Sequence, residues 1–553
     1  MKPKSYRIPF ILLALGLILA LGNNLRVQAA SATPPADPEA QARAEFYARM
    51  EADILAGMSD PDNPSIPLAF TPCVSGFAGP YPCDNVDLMA FMPGSTIGGG
   101  SGNDVWGWTD PNDGTEYALM GLSSGTAFID ISNPSSPVYI GKLPGHNGSS
   151  STWRSIKVYN DYAFIVSEAG GHGMQVFDLS RITNVLVPPV TFSEDVHYNQ
   201  FGNAHTIAIN EDTGYAIAAG SNTCSGGLHI VNIQNPEVPV FAGCFSADGY
   251  THEAQCVLYT GPDVQHQGKD ICFAYNENTV TIVDITNHAL PVQLSETPYS
   301  GSGYTHQGWL TPDQKYVLVD DELDESNFGH NTRTRIFDVS DLDATGSFNP
   351  EFYDGPYGAI DHNLYIHNGF VYESNYTIGL RILDGADIPN GNLSEVAFFD
   401  MYTPSNSTSF NGTWSNYPFF ESGIVLISGI NEGLFIVKPV ITPDYTLGAD
   451  SVTLNVCAGN TAGTTITVGA GNGYTGTVSL STAGLPAGAV SLFTPSSVAA
   501  PGTSALSVSV DVSVAPGSYP FTVEGDDGSI QHDTAMTLNV LNCNYFPIIT
   551  NGP

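Results

Sequence analysis

The chain has 553 residues, 42% of them hydrophobic and 13% charged, enough for two or three domains with sizeable cores. Its 55 acidic residues outnumber 16 basic ones, for a formal net charge of −39. A surface of that sign repels phosphate backbones, which excludes nucleic acid as a partner class, and it attracts cations and basic partners.

The N-terminus reads as a secretory signal peptide over 1–29. Lys2, Lys4 and Arg7 precede an apolar run at 8–21, and Val27, Gln28 and Ala29 offer a small-residue cleavage site. Its removal takes away four basic residues and no acid. No later segment is long and apolar enough to span a bilayer, so the mature chain is expected to lack a transmembrane segment. Export to the extracellular space or the cell surface follows. Residues 30–72 form a polar, Pro-rich segment around one predicted helix at 38–58. Its apolar positions Phe46, Met50, Ile54 and Met58 recur every four residues.

From 73 to 439 a short β-string recurs seven times, at spacings of 46 to 54 residues. The strings are Phe-Ile-Asp-Ile-Ser (128–132), Val-Phe-Asp-Leu-Ser (176–180), Ile-Val-Asn-Ile-Gln (230–234), Ile-Val-Asp-Ile-Thr (282–286), Ile-Phe-Asp-Val-Ser (336–340), Ile-Leu-Asp-Gly-Ala (382–386) and Phe-Ile-Val-Lys (435–438). A strand repeat of that length marks a β-propeller. The fold class is therefore all-β, with a seven-bladed propeller, or six blades if one weak unit forms none. The polar residue within the string, from Asp130 to Asp384, precedes turn formers and is expected to bond its own downstream backbone. The last unit lacks a fourth strand, whereas 86–92 is a spare one at the start. That strand is expected to complete the final blade and remove a sheet edge.

Eight cysteines in an exported chain read as disulfides. Their sequence-local pairing predicts Cys73–Cys83, Cys224–Cys244, Cys256–Cys272 and Cys457–Cys543.

Four consecutive repeats open with a histidine at one equivalent position: His205, His252, His306 and His362. Trp106, Trp153 and Trp414 stand there or close by in the others. First strands of propeller blades line the central channel, so these side chains are expected around one mouth. Imidazole is a preferred transition-metal ligand, and Glu253 and Asp361 sit beside two of the histidines. The alternative is a histidine belt satisfied by backbone and water. A run of acids at 320–325, with Asp320, Asp321 and Glu322 foremost, reads first as a solvated acidic loop and second as a calcium site. The candidate cofactors are thus a transition metal and calcium. No Gly-x-Ser-x-Gly elbow or phosphate-cradling loop occurs, and no catalytic residue is assigned.

Residues 443–543 turn rich in Thr, Ser, Val, Gly and Ala, with short alternating strands separated by Pro/Gly turns. This predicts an immunoglobulin-like β-sandwich, followed by a short tail at 544–553.

The repeated strings resemble LVIVD repeats. Longer stretches at 98–108, 303–309, 320–325, 329–334 and 360–364 resemble the choice-of-anchor B family of exported bacterial proteins. The resemblance covers 73–439 and implies a secreted or surface-held repeat domain with no established reaction. The C-terminal segment resembles bacterial surface Ig-like modules. The expected function is a non-catalytic binding or adhesion scaffold for an extracellular protein or glycan. Its alternative is a metal-dependent extracellular enzyme using the histidine-lined mouth.

Overall fold

A computed structural model of the chain describes residues 38–58, 68–344, 351–472 and 474–543. The expected signal peptide and the tail at 544–553 lie outside these residues. The helix Pro38–Gly57 buries Phe46, Met50 and Ile54, spaced four apart. Met58, expected on the same face, follows the helix and is 48% exposed.

Among the described residues the repeats form seven antiparallel sheets, with a short parallel addition to the first. The first sheet runs Gly102–Thr109, Glu116–Leu122, Gly125–Asp130 and Val138–Pro144 in strand order. The others open with Arg154–Tyr159, Thr206–Asn210, Glu253–Leu258, Thr305–Leu310, Asn363–His367 and Thr413–Tyr417. These opening strands pack side by side in chain order, and the last of them packs against the first. This is a repeat β-propeller.

Each sheet is covered on both faces, which is why its middle strands are near-continuous apolar runs. Val105, Met120 and Ile129 of the first sheet share a core with Leu426, Leu434 and Ile436 of the seventh. Phe273 and Ile282 of the fourth share one with Val317 and Phe337 of the fifth.

Local chemistry sets the turn after the third strand in six of the sheets. A side-chain oxygen accepts from the backbone two residues on at Asp130, Asp178, Asn232, Asp284, Asp338 and Asp384. The seventh sheet is completed from the other end of the domain. Strand Val86–Pro93 pairs antiparallel with Gly433–Pro439, placing Phe91 opposite Phe435. Their rings stack at 4.3 Å.

Two further sheets follow. One orders Asp444–Ala449, Thr461–Gly471, Gly502–Val510 and Ala489–Thr494; the other holds five strands with Gln531–Leu541 and Gly517–Asp526 near its centre. Their inner faces share one core that includes Tyr445, Ile466, Val508, Val523 and Leu538. Asp384 of the propeller accepts a bond from the Asn472 backbone at 2.7 Å, so the repeat's turn residue also meets this region. All four disulfides join the cysteines paired by sequence proximity.

Candidate functional site

The four repeat histidines stand at the start of adjacent opening strands. His205, His252 and His362 immediately precede theirs, and His306 is the second residue of its own. Their rings follow one another with centroids 4.0, 4.4 and 4.4 Å apart, and all four are buried. Trp153 flanks His205 at 6.5 Å, and Trp414 flanks His362 at 5.3 Å. A pocket lies here whose empty space of about 360 Å³ includes open solvent, lined by Trp153, His205, Glu253, His306, His362 and Trp414 among others.

Trp106 does not join this ring. It sits in the middle of Gly102–Thr109, packed on Tyr365, Tyr417 and Lys157, and lines a second, solvent-open cavity with Trp309. Asp104, two residues earlier, lines the histidine cavity instead, its carboxylate accepting from the Ile156 backbone and Lys157. The first repeat thus presents an acid where its neighbours present imidazole or indole. Glu253 lines both cavities.

Every ring is oriented through Nδ1. His205 faces Glu168 at 2.6 Å, His252 the Tyr304 hydroxyl at 2.9 Å, His306 Asp320 at 3.1 Å, and His362 the Trp414 carbonyl at 2.5 Å. A carbonyl only accepts, so Nδ1 of His362 carries the hydrogen. Burial holds His362 neutral, its pKa pushed down to about 3, so its Nε2 bears a lone pair. Burial also holds His306 well below the usual range. Both Nε2 atoms face one carboxyl, Glu322, at 3.6 Å from His306 and 3.7 Å from His362. The Tyr376 hydroxyl donates to Glu322 at 2.5 Å. Burial raises Glu322 to about 8. Ligating atoms of His252, His306 and Glu322 all lie within 4.8 Å of one another.

The geometry explains why Glu322 stands apart from these histidines in the sequence. The pairing register shifts between Thr305 and Gln307, against Asp321 and Asp320, so His306 is an extra residue in its strand. Such a bulge re-aims a side chain. It turns His306 toward the residue just past the partner strand. Nothing in the repeat spacing signals that shift.

The run at 320–325 is not a solvated loop. Asp320, Asp321, Glu322, Asp324 and Glu325 are each no more than 2% exposed, because strand Tyr316–Asp321 and the short helix Asp324–Phe328 lie inside the domain. Nor are Asp320, Asp321 and Glu322 gathered around one point. Asp320 goes to His306; Asp321 accepts from Tyr299 and the backbone of Gly303 and Tyr304; Glu322 goes to the histidines and Tyr376. Asp361 accepts from the Asp321 backbone and stands with Asp324 and Glu325 rather than with the histidines. Glu253, half-buried between the cavities, is raised by desolvation to about 7.

A model of the LVIVD repeat matches residues 117–143, which run from the second to the fourth strand of the first sheet. No curated protein matches the sequence. Among solved structures, the chain is similar to a protein of unknown function from Bacteroides thetaiotaomicron, at 12% identity and a TM-score of 0.33, covering 68% of this chain and 99% of that one. It is also similar to a quinonprotein alcohol dehydrogenase-like protein from the same organism, at 12% identity and a TM-score of 0.32, covering 60% and 77%. Domains 4 and 5 of the S-layer protein SbsC align at 17% identity and a TM-score of 0.17, covering 30% and 93%. Likenesses this distant carry no argument about activity.

Proposed function

We propose that this chain is an exported or surface-held binding protein of the choice-of-anchor B type. Seven blades form the propeller, the two-sheet region is an Ig-like module, and the histidine mouth is the ligand site. Four disulfides support an oxidising compartment, which is where a signal peptide at 1–29 would deliver the chain. The ligand class is an extracellular protein or glycan that meets the mouth through a transition metal.

The observation that carries this reading is the convergence of His306 Nε2 and His362 Nε2 on Glu322, with His252 in reach. Two neutral imidazoles, His362 with its lone pair on Nε2, meet one carboxyl, a donor set that a shared proton or a cation satisfies. Ligands about 2.0–2.1 Å from a tetrahedral ion stand roughly 3.3–3.4 Å apart, close to the separations here. Outer partners on Nδ1 are what metal-binding imidazoles use to fix their orientation.

Metal analysis of the purified chain tests this. Near one equivalent of zinc or another imidazole-preferring metal is expected, lost in His252→Ala/His306→Ala and weakened about 10–100-fold in Tyr376→Phe, which removes an outer partner. A folded wild-type chain that neither retains nor takes up such a metal overturns the reading.

One feature favours a metal-dependent enzyme instead. Glu253 borders the same cavity with its carboxyl raised to about 7, the range of a general acid or base. Hydrolytic turnover by the metal-loaded chain, abolished in Glu253→Gln with metal retained, would select that reading.

A further inference from the structure

Behind the histidine mouth lies a second group of acids that the first site does not use. Asp324 and Glu325 come from the short helix after the fifth sheet's second strand, and Asp361 from just before the sixth sheet's opening strand. They are 0, 2 and 3% exposed, and each offers a carboxylate oxygen within 4.8 Å of the other two.

One oxygen of each acid is engaged. Asp324 Oδ2 meets Arg335 at 2.6 Å, Glu325 Oε1 accepts from the Asp361 backbone at 3.2 Å, and Asp361 Oδ1 accepts from the Asp321 backbone at 3.2 Å. The other oxygen of each, Asp324 Oδ1, Glu325 Oε2 and Asp361 Oδ2, is buried with no hydrogen-bond partner among the described residues. Buried carboxylates left this way are costly, and proteins resolve them by pairing, protonation or a metal. Pairing falls short here. Asp320, Asp321, Glu322, Asp324, Glu325 and Asp361 are all buried, and Arg335 is the one lysine or arginine bonded to any of them among the described residues.

We propose that Asp324, Glu325 and Asp361 form a second site, for a hard divalent cation of the calcium class. The donor set is oxygen alone, which selects against the imidazole-preferring metals of the mouth. Calcium binds oxygens at about 2.3–2.6 Å, so its shell spans roughly 4.6–5.2 Å and accommodates three oxygens this far apart. A divalent cation that displaces the protons of these three acids would meet more negative charge than Arg335 alone can balance. The ion would tie the helix Asp324–Phe328 to the residue before His362. It would thus hold one wall of the mouth in place without entering it.

The test uses the full mature chain, stripped with chelator and then titrated with calcium chloride. Calcium near a hundredfold excess over Kd is expected to raise the melting temperature by about 2–5 °C. Terbium bound in calcium's place should luminesce through nearby tyrosines, and calcium but not zinc should displace it. Glu325→Gln and Asp361→Asn should each abolish the calcium response while zinc uptake at the mouth persists. If neither variant folds, the wild-type measurements decide alone. No calcium-dependent melting shift and no terbium signal overturns the proposal, and the three acids then share protons. A calcium response that survives in the folded variants overturns it equally. Zinc failing to bind while calcium binds would refute the histidine site and leave this one standing.

Discussion

His306 and His362 are held neutral by burial while Glu322 and Asp324 are held protonated by it, and the two pairs give opposite pH dependences. The histidines have folded pKa values below that of a free imidazole. Below about pH 6.5 the unfolded chain takes up protons that the folded chain refuses, so their contribution to stability is lost as pH falls. Asp324 and Glu322 are raised to about 7 and about 8. The folded chain keeps these protons after the unfolded chain has released them, so that contribution is full at low pH and is lost as pH rises through 7 and 8. Above pH 6.5 the acids act alone. The metal-free protein is therefore expected to melt several degrees lower at pH 8.5 than at pH 6.5. Added calcium, which binds ionised carboxylates, should flatten or reverse that slope. A metal-free melting temperature that rises over this range would mean the buried acids are already ionised. The histidines were visible in the repeat because duplication puts them at one position. Glu322 was visible only as an acid in a run, since its meeting with His306 depends on a bulge.

At the level of strands and turns, two kinds of contact differ sharply in weight. The repeat acid makes a local bond, as Asp130 does to the Ser132 backbone at 2.8 Å. Asp130→Ala should cost about 0.5–1.5 kcal/mol in urea unfolding, the net worth of one such bond. Phe91 lies in the strand that completes the seventh sheet, 1% exposed and stacked on Phe435. Phe91→Ala should cost about 3–5 kcal/mol and, by loosening Val86–Pro93, expose a paired edge and promote association. Equal costs at the two positions would contradict closure by the N-terminal strand. The turn acids were readable because their partner lies two residues away. The closing strand was readable by counting, because one unit lacked a strand and the chain start had one to spare.

Across the whole molecule, the propeller and the two-sheet region carry separate cores, so damage to one should leave the other's chemistry intact. The Cys457–Cys543 bridge spans 86 residues of sequence and encloses most of the second core. Cys457→Ser/Cys543→Ser should destabilise that region by about 2–4 kcal/mol, seen as an earlier melting step, with metal uptake at the mouth unchanged. Loss of metal binding in that variant would show that the two cores are not independent. The sequence by itself determined the repeat, the all-β class, the turn acids, the disulfide partners and the shared position of the four histidines. These are properties of periodicity and short separation, which one-dimensional order preserves. Only the tertiary structure decided that the acidic run is buried, that Trp106 belongs to a different cavity, that Glu322 sits between His306 and His362, and that Asp361 joins Asp324 and Glu325. Those are decided by register shifts and by packing between neighbouring sheets, where a one-residue bulge changes which side chain faces which.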